Sequence, residues 1–213
     1  MNVTVFGATG AIGQHAVTAL LERGDTVTAF VRNPAKVPPA WSDRVRVVVG
    51  ETSDAQAIDS AVAGAETVLS ALGPSMDRKA TGLPLVEGTR LVVEAMQRHG
   101  VRRFIGMATP SIADPRDRRS FAPWIARTMA KTFLRRAYDE LLGMTEHVTG
   151  SDLDWTVVRF LAPKDGPATG AVRSGFYGTD KLGFAITRED IARYMVSQID
   201  DPRYVRAAPG ISS

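Results

Sequence analysis

The chain reads as an α/β protein: a doubly wound parallel sheet with helices on both faces and a small lobe near the C-terminal end. Short apolar, β-rich runs alternate with stretches whose apolar residues recur at helical spacing, as in right-handed βαβ units. The runs lack polar alternation, which suits strands buried on both faces. A glycine-rich loop, Gly7-Ala8-Thr9-Gly10-Ala11-Ile12-Gly13, joins the first run to the first helical stretch.

In order along the chain, residues 3–6 form a first strand, and 11–23 a helix with Ile12, Val17, Leu20 and Leu21 on one face and Gly24 as its stop. Strands follow over 26–31 and 44–49, the latter centred on Val47-Val48-Val49. Ser53, with Gln56 three residues on, has the form of a capping box opening a helix that ends at Ala63-Gly64. Residues 66–70 are a strand, 85–99 a helix with Val86, Val92, Val93 and Met96 inward, and 101–108 a fifth strand. The stretch 109–150 breaks the rhythm with a polar, basic loop over 114–120 and one long helical pattern over 123–147. A sixth strand covers 153–159. Beyond it the chain is rich in Gly and Pro, with short strands at 170–176 and 182–186 joined by a turn at 178–180. Thr187-Arg188-Glu189-Asp190 caps a last helix reaching 199, and 204–207 fits an edge strand. No repeat, low-complexity tract or linker divides the chain. The expectation is one domain over 1–213, with a small substrate lobe within about 160–190.

Composition narrows the chemistry. Hydrophobic residues make up 44% and charged residues 23% of 213, an ordinary globular balance. There is no Cys, which excludes disulfides, thiolate metal sites and Cys nucleophiles. The 3 histidines, His15, His99 and His147, form no metal-ligand spacing, so no metal is expected. The net charge of +3 permits an anionic ligand without arguing for nucleic acid. No run approaches the ~20 apolar residues of a membrane span. Residues 1–6 lack the basic start and cleavage site of an export leader. The expectation is a cytoplasmic protein with no membrane and no nucleic-acid partner, a monomer or small homo-oligomer.

The glycine loop meets the context that gives such a motif meaning: it follows a strand, opens a helix and begins a βαβ unit. Gly7 permits the tight turn, Gly10 lets a pyrophosphate approach bare backbone, and Gly13 lets the helix pack closely on the strand. The N–H groups at the helix start, Ala11 and its neighbours, then face phosphates along the helix dipole. This is the dinucleotide site of a Rossmann-type fold.

The end of the second strand sets the choice of cofactor. An NAD-preferring site carries Asp or Glu there to hold the ribose hydroxyls. Here the strand runs into Arg32-Asn33-Pro34-Ala35-Lys36. Arg32 can fork onto a 2′-phosphate and Lys36 adds a point charge, so NADP(H) is expected in preference to NAD(H). At the carboxyl ends of later strands, Glu51 and Thr52 are expected to border the adenine. Leu72 and Gly73 are expected near the phosphates and nicotinamide ribose, and Ala108 and Thr109 near the nicotinamide.

The opening Val3-Thr4-Val5-Phe6-Gly7-Ala8-Thr9-Gly10-Ala11-Ile12-Gly13, the Val31-Arg32-Asn33-Pro34 turn and Val49-Gly50-Glu51 resemble the atypical short-chain dehydrogenase/reductase superfamily. The runs His99-Gly100-Val101-Arg102-Arg103-Phe104-Ile105 and Ser151-Asp152-Leu153-Asp154-Trp155-Thr156-Val157-Val158-Arg159 agree with it. The likeness is to its NAD(P)H-binding group, which includes biliverdin-IX-beta reductases, flavin reductases and NmrA-like regulators. The resemblance implies a seven-strand-type core, with Gly7, Thr9, Gly10, Ile12 and Gly13 on the pyrophosphate and Arg32 and Lys36 on the 2′-phosphate. It implies Thr109 beside the nicotinamide, and Leu161, Ala162 and Pro163 lining the nicotinamide pocket after Phe160. The chain departs from the group in having Arg159-Phe160 where Val-Arg-Pro is common, and Phe160-Leu161-Ala162 where biliverdin-type reductases carry Pro-Pro-His. It also has Glu51 where Asp is frequent. These departures turn the expectation away from tetrapyrrole reduction and leave cofactor binding untouched.

Many short-chain dehydrogenases use Tyr-x-x-x-Lys on a helix, the lysine lowering the tyrosine pKa. The one literal match, Tyr177-Gly178-Thr179-Asp180-Lys181, lies in a glycine turn where the two side chains would not stack. On the helix expected to carry the pair, Tyr138 is followed by Leu142 at the lysine position. The expected enzyme is therefore an NADPH-dependent reductase without that pair, passing hydride to a flavin, quinone or similar conjugated small molecule by proximity and orientation. The alternative is a non-catalytic NADP-binding sensor of the NmrA-like kind. Thr109 is the candidate catalytic residue, bonding the acceptor or the carboxamide, or else a turn threonine. Phe121, Trp124 and Phe160 are either an acceptor pocket or core. Arg159 either meets an anionic substrate or forms a structural ion pair. The basic residues Arg116, Arg118, Arg119, Lys131, Arg135 and Arg136 read as a solvated face among Asp114, Asp117, Asp139 and Glu140.

Overall fold

A computed structural model describes residues 1–77 and 79–213. β1 (Asn2–Phe6) pairs in parallel with β2 (Thr26–Val31) on one side and β4 (Thr67–Ser70) on the other. β3 (Val45–Val49) adds beside β2, and β5 (Arg103–Ala108) then β6 (Asp154–Arg159) add beyond β4. The chain thus winds one way through β1, β2 and β3, then crosses back to β4. The strand order reverses between β1 and β4, and the crevice outside their carboxyl ends is where such sheets take ligands.

Helices cover both faces. α1 (Gly13–Arg23) and α6 (Arg188–Ser197) share one core with Val3, Val5, Val27 and Ala29. α2 (Ala55–Val62), α3 (Pro84–Arg98) and α5 (Arg135–Thr149) share the other with Phe6, Phe30, Val68 and Phe104. Alternate residues of one strand therefore feed opposite layers, which is why the central strands are mostly apolar and show no polar alternation. The one polar side chain at the centre of β1, Thr4, donates its hydroxyl to the Ala61 carbonyl at 2.6 Å.

Local reading and structure part company at five places. β3 is an edge strand, so its valine run is not enclosed: Val47 and Val49 are exposed. Asp54, not Ser53, caps α2, accepting from Ala57 N at 3.0 Å. The long helix expected over 123–147 is two helices, α4 (Phe121–Phe133) and α5, broken at Leu134 with φ −131° and ψ 35°. The two short strands expected on either side of the turn at 178–180 shrink to three and two residues and join different partners. β8 (Arg173–Gly175) runs antiparallel to β10 (Gly210–Ser212), whereas β9 (Ile186–Thr187) lies parallel to β7 (Pro163–Lys164). Last, 204–207 is no strand: Pro202–Tyr204 is a 3-10 turn, and only Ala207 bridges to Thr156. β10 inserts between β6 and β8, giving eight strands in the order β3-β2-β1-β4-β5-β6-β10-β8 where the resemblance implied a seven-strand core.

Candidate functional site

The glycine loop leaves β1 at the strand crevice. Gly7 has φ +72°, and a Cβ there would sit 2.8 Å from the carbonyl of Ala71 beyond β4. A Cβ on Gly13 would lie 2.1 Å from the Gly7 carbonyl, so α1 can start this close only without a side chain. Gly10 donates to the Gly7 carbonyl at 2.9 Å and is exposed, its missing Cβ crowded only by that same oxygen at 3.2 Å. No side chain caps α1; Gln14 N donates to the Gly10 carbonyl at 3.0 Å, which leaves the N–H groups of Ala11, Ile12 and Gly13 to an anion. A diphosphate fits this bare cradle.

A cleft of about 510 Å³ opens from the loop across the ends of β2 and β3. It brings together Gly7, Thr9, Arg32, Asn33, Lys36, Glu51, Thr52, Leu72 and Gly73. Asn33 accepts from Ala35 N at 3.0 Å and so caps the 3-10 turn Pro34–Lys36. That turn keeps Arg32 and Lys36 on one rim, both exposed.

The opposite wall escaped the sequence reading. Arg136 of α5 pairs with Glu140 at 3.0 Å, and its guanidinium also donates to the carbonyls of Gly82 and Ser75. Glu140 is buried and accepts from Leu85 N at 3.0 Å. Together they tie the segment after β4, which contributes Ser75, Ala80, Thr81, Pro84 and Leu85, to α5 as the cleft wall. Glu140 is thus no part of a solvated face. The only local signal was the i, i+4 spacing of Arg136 and Glu140, which says nothing of a partner in another segment.

The other expected site residues lie outside this cleft. Ile12 is buried in the core with α1, while Ala11 is exposed. Ala108 ends β5 in the opposite core. Thr109 is exposed, its hydroxyl 2.7 Å from that of Ser111 and its carbonyl accepting from Ile112 N. Phe160 is core, whereas Phe121 and Trp124 stack on each other at the surface, so the three form no common pocket. Leu161 is half-buried, Ala162 and Pro163 are exposed, and Ala162 has φ +40°.

Arg159 is a structural ion pair. Fully buried, it meets both Asp117 carboxylate oxygens at 2.5 and 2.8 Å and donates to the Ile112 carbonyl at 3.0 Å. Burial raises the Asp117 pKa, but the Arg159 hydrogen bond and the N–H groups of Asp114 and Tyr177 outweigh it and hold the carboxyl below its ordinary value. The Tyr177 ring lies 5.0 Å from the Arg159 guanidinium, and burial pushes its phenol up to about 12. Tyr177 sits in a turn, not on a helix. Asp114 is buried too, paired with Arg116 and bound by Ala208 N at 2.8 Å.

Among the described residues no group of His, Asp and Glu is placed to hold a metal ion, and no helix is long and apolar enough to cross a membrane. The fold is that of known dinucleotide proteins. A short-chain dehydrogenase/reductase of the wide type from Veillonella parvula DSM 2008, solved in complex with NADP, superposes with a TM-score of 0.80 at 19% identity, covering 100% of this chain and 94% of that one. ChuY, an anaerobilin reductase from Escherichia coli O157:H7, gives 0.79 at 19% identity, covering 99% and 96%. Among curated relatives, a 3-diazoavenalumate denitrifying reductase from Streptomyces is 34% identical over 82% of this chain and 60% of its own length. The isoflavone reductase homolog IRL of Zea mays is 29% identical over 95% of this chain and 65% of its own. The chain spans between about a third and two thirds of the curated relatives it matches. A sequence profile of one family, described as NAD(P)H-binding, matches residues 7–202, and the chain belongs to that family.

Proposed function

We propose that the protein is an NADPH-dependent reductase that delivers hydride to a conjugated small-molecule acceptor of the flavin or quinone type. The observation that carries it is the pairing of the glycine cradle with Arg32 and Lys36 on one cleft, with no carboxylate at the end of β2. NADPH, when bound, supplies the hydride. The cradle holds the diphosphate through backbone N–H groups, and Arg32 and Lys36 select the 2′-phosphate. Glu51 and Thr52 border the adenine, and the Arg136–Glu140 tie fixes the wall facing it. Thr109 orients the acceptor through a hydroxyl already positioned by Ser111. The buried Tyr177 phenol lies outside the cleft with its ring on Arg159, so the proton comes from water.

Relatives named as reductases support the reaction class. The test is NADPH oxidation followed at its absorbance band with a panel of flavins and quinones, beside NADPH and NADH titrations of wild type and Arg32→Asp. We expect turnover with at least one acceptor, and a loss of NADPH affinity in Arg32→Asp of about tenfold or more with NADH affinity little changed. Equal loss of both cofactors overturns the selectivity. Tight NADPH binding with no turnover overturns the reductase and leaves a sensor.

A further inference from the structure

α4 is built inside out. Toward the protein it turns Pro123, Ala126 and Ala130, all partly buried, and Arg127, whose Nε donates to the Ser111 carbonyl at 3.2 Å. Toward solvent it turns its large apolar residues: Phe121 at 72% exposure, Trp124 at 63%, Met129 at 51%, Phe133 at 67%, with Ile125 between them. Phe121, Ile125, Met129 and Phe133 recur every four residues and lie on one stripe, with Trp124 three residues after Phe121 at its side. A soluble helix places such residues inward, and a contiguous exposed apolar patch marks an interaction surface.

The charge around the stripe says which surface. Phe121–Phe133 contains no Asp or Glu. Exposed cations bracket it: Arg118 and Arg119 just before, Lys131 in the last turn, and Arg135 just after, the last within 3.7 Å of Asp139 one turn on yet 84% exposed. A second copy of the helix would bring these cations against their own kind with no carboxylate on the helix to meet them. An anionic partner with an apolar interior meets both features at once. Trp and Phe on one face with Lys and Arg beside them is the composition of a helix lying in a lipid headgroup layer. At 13 residues α4 is too short to span a bilayer and long enough to lie on one.

We propose that α4 is an interfacial helix that docks the protein on an anionic lipid surface, its Phe121–Phe133 stripe inserted and Arg118, Arg119, Lys131 and Arg135 on the headgroups. The expectation of no membrane partner rested on the lack of a spanning segment, which does not bear on a helix lying flat. The proposal is independent of the reductase reading.

The chain has 3 tryptophans, and Trp41 and Trp155 are buried at 4% and 9% exposure, so a change in tryptophan emission on docking reports Trp124. The purified protein is mixed with vesicles of phosphatidylcholine alone, or of phosphatidylcholine with phosphatidylglycerol. Sedimentation, tryptophan emission and acrylamide quenching are recorded. We expect binding to the mixed vesicles about tenfold tighter than to phosphatidylcholine alone, weakened by salt, with emission shifted to shorter wavelength and quenching reduced. Trp124→Ser with Phe133→Ser should abolish binding, and Lys131→Glu with Arg135→Glu should remove the preference for anionic lipid. NADPH binding and circular dichroism check that these variants fold, and the wild-type quenching result stands without them. Absence of vesicle binding with unchanged Trp124 quenching overturns the proposal. If light scattering then gives a dimer that Trp124→Ser with Phe133→Ser dissociates, a second copy covers the stripe instead. Vesicle binding that survives both variants overturns it as well, since another surface then carries the contact.

Discussion

Arg159 can be buried because Asp117 answers its fork with both oxygens and the Ile112 carbonyl takes a third bond. Removing one partner leaves the other charge stranded in low dielectric, which costs about 3–5 kcal/mol, whereas removing both costs far less. Asp117→Ala is therefore expected to destabilise strongly, and Asp117→Leu with Arg159→Met mildly, in urea unfolding at neutral pH. The acid dependence follows from the same contact. The Asp117 pKa is lower in the fold than in the unfolded chain, near 3.9. Its stabilisation is complete above the unfolded value, is lost as pH falls through the folded one, and is absent below both. Wild type should accordingly lose stability more steeply than the double variant on acidification below about pH 4. Tyr177 gives a complementary check. With its phenol near 12, Tyr177→Phe should leave the pH profile of kcat/KM unchanged between neutral pH and about 9. A lost basic limb in that variant would restore it as an acid–base residue.

Elements whose cause is local were legible, and those made by distant pairing were not. The central strands and α1, α3 and α6 follow from apolar period, a glycine stop or a cap box. Thr187 does cap α6, accepting from Asp190 N at 3.0 Å. The break at Leu134 has neither Pro nor Gly to announce it. β7 and β9 are two residues each and exist only because they meet. Ser53 and Asp54 are both cap formers, and their competition is decided by where Ile58 and Val62 must point to reach the core. Asp190 does more than cap a helix. Its carboxylate accepts from Thr169 N and Oγ1, Gly170 N and the Thr187 hydroxyl, so it holds the 168–170 segment onto α6. Burial raises its pKa, and these bonds outweigh that and bring it below the ordinary value. Asp190→Ala strands several donors at once and should cost about 2–4 kcal/mol. Limited proteolysis should then cut near 165–172 well before the rest of the chain. Wild-type resistance there in the variant would mean that β7 and β8 hold the segment by themselves.

At the scale of the molecule, the reversal of strand order between β1 and β4 creates the crevice, and the glycine loop and the Arg32 turn open onto it from neighbouring strands. Those two pieces were readable because each is a contiguous motif at a strand end. Arg136 and Glu140 were not, because only the tertiary packing of α5 on α3 carries them to the same cleft. The site therefore couples both halves of the chain: the β1–β3 half supplies the cradle and cations, and the α5 half supplies the far wall. A ligand bridging them stabilises the whole fold by mass action, RT ln(1 + [L]/Kd), about 2.7 kcal/mol at a hundred times Kd. For a domain of this size that corresponds to a rise in Tm of about 5–10 °C. NADPH should produce this rise in wild type and a much smaller one in Arg32→Asp at the same concentration. Arg136→Ala, which frees the far wall without touching the cradle, should lower the unliganded Tm. It should also leave the ratio of NADPH to NADH affinity unchanged, since in the proposed complex that wall faces the adenine. A changed ratio would mean that Arg136 itself reaches the extra phosphate.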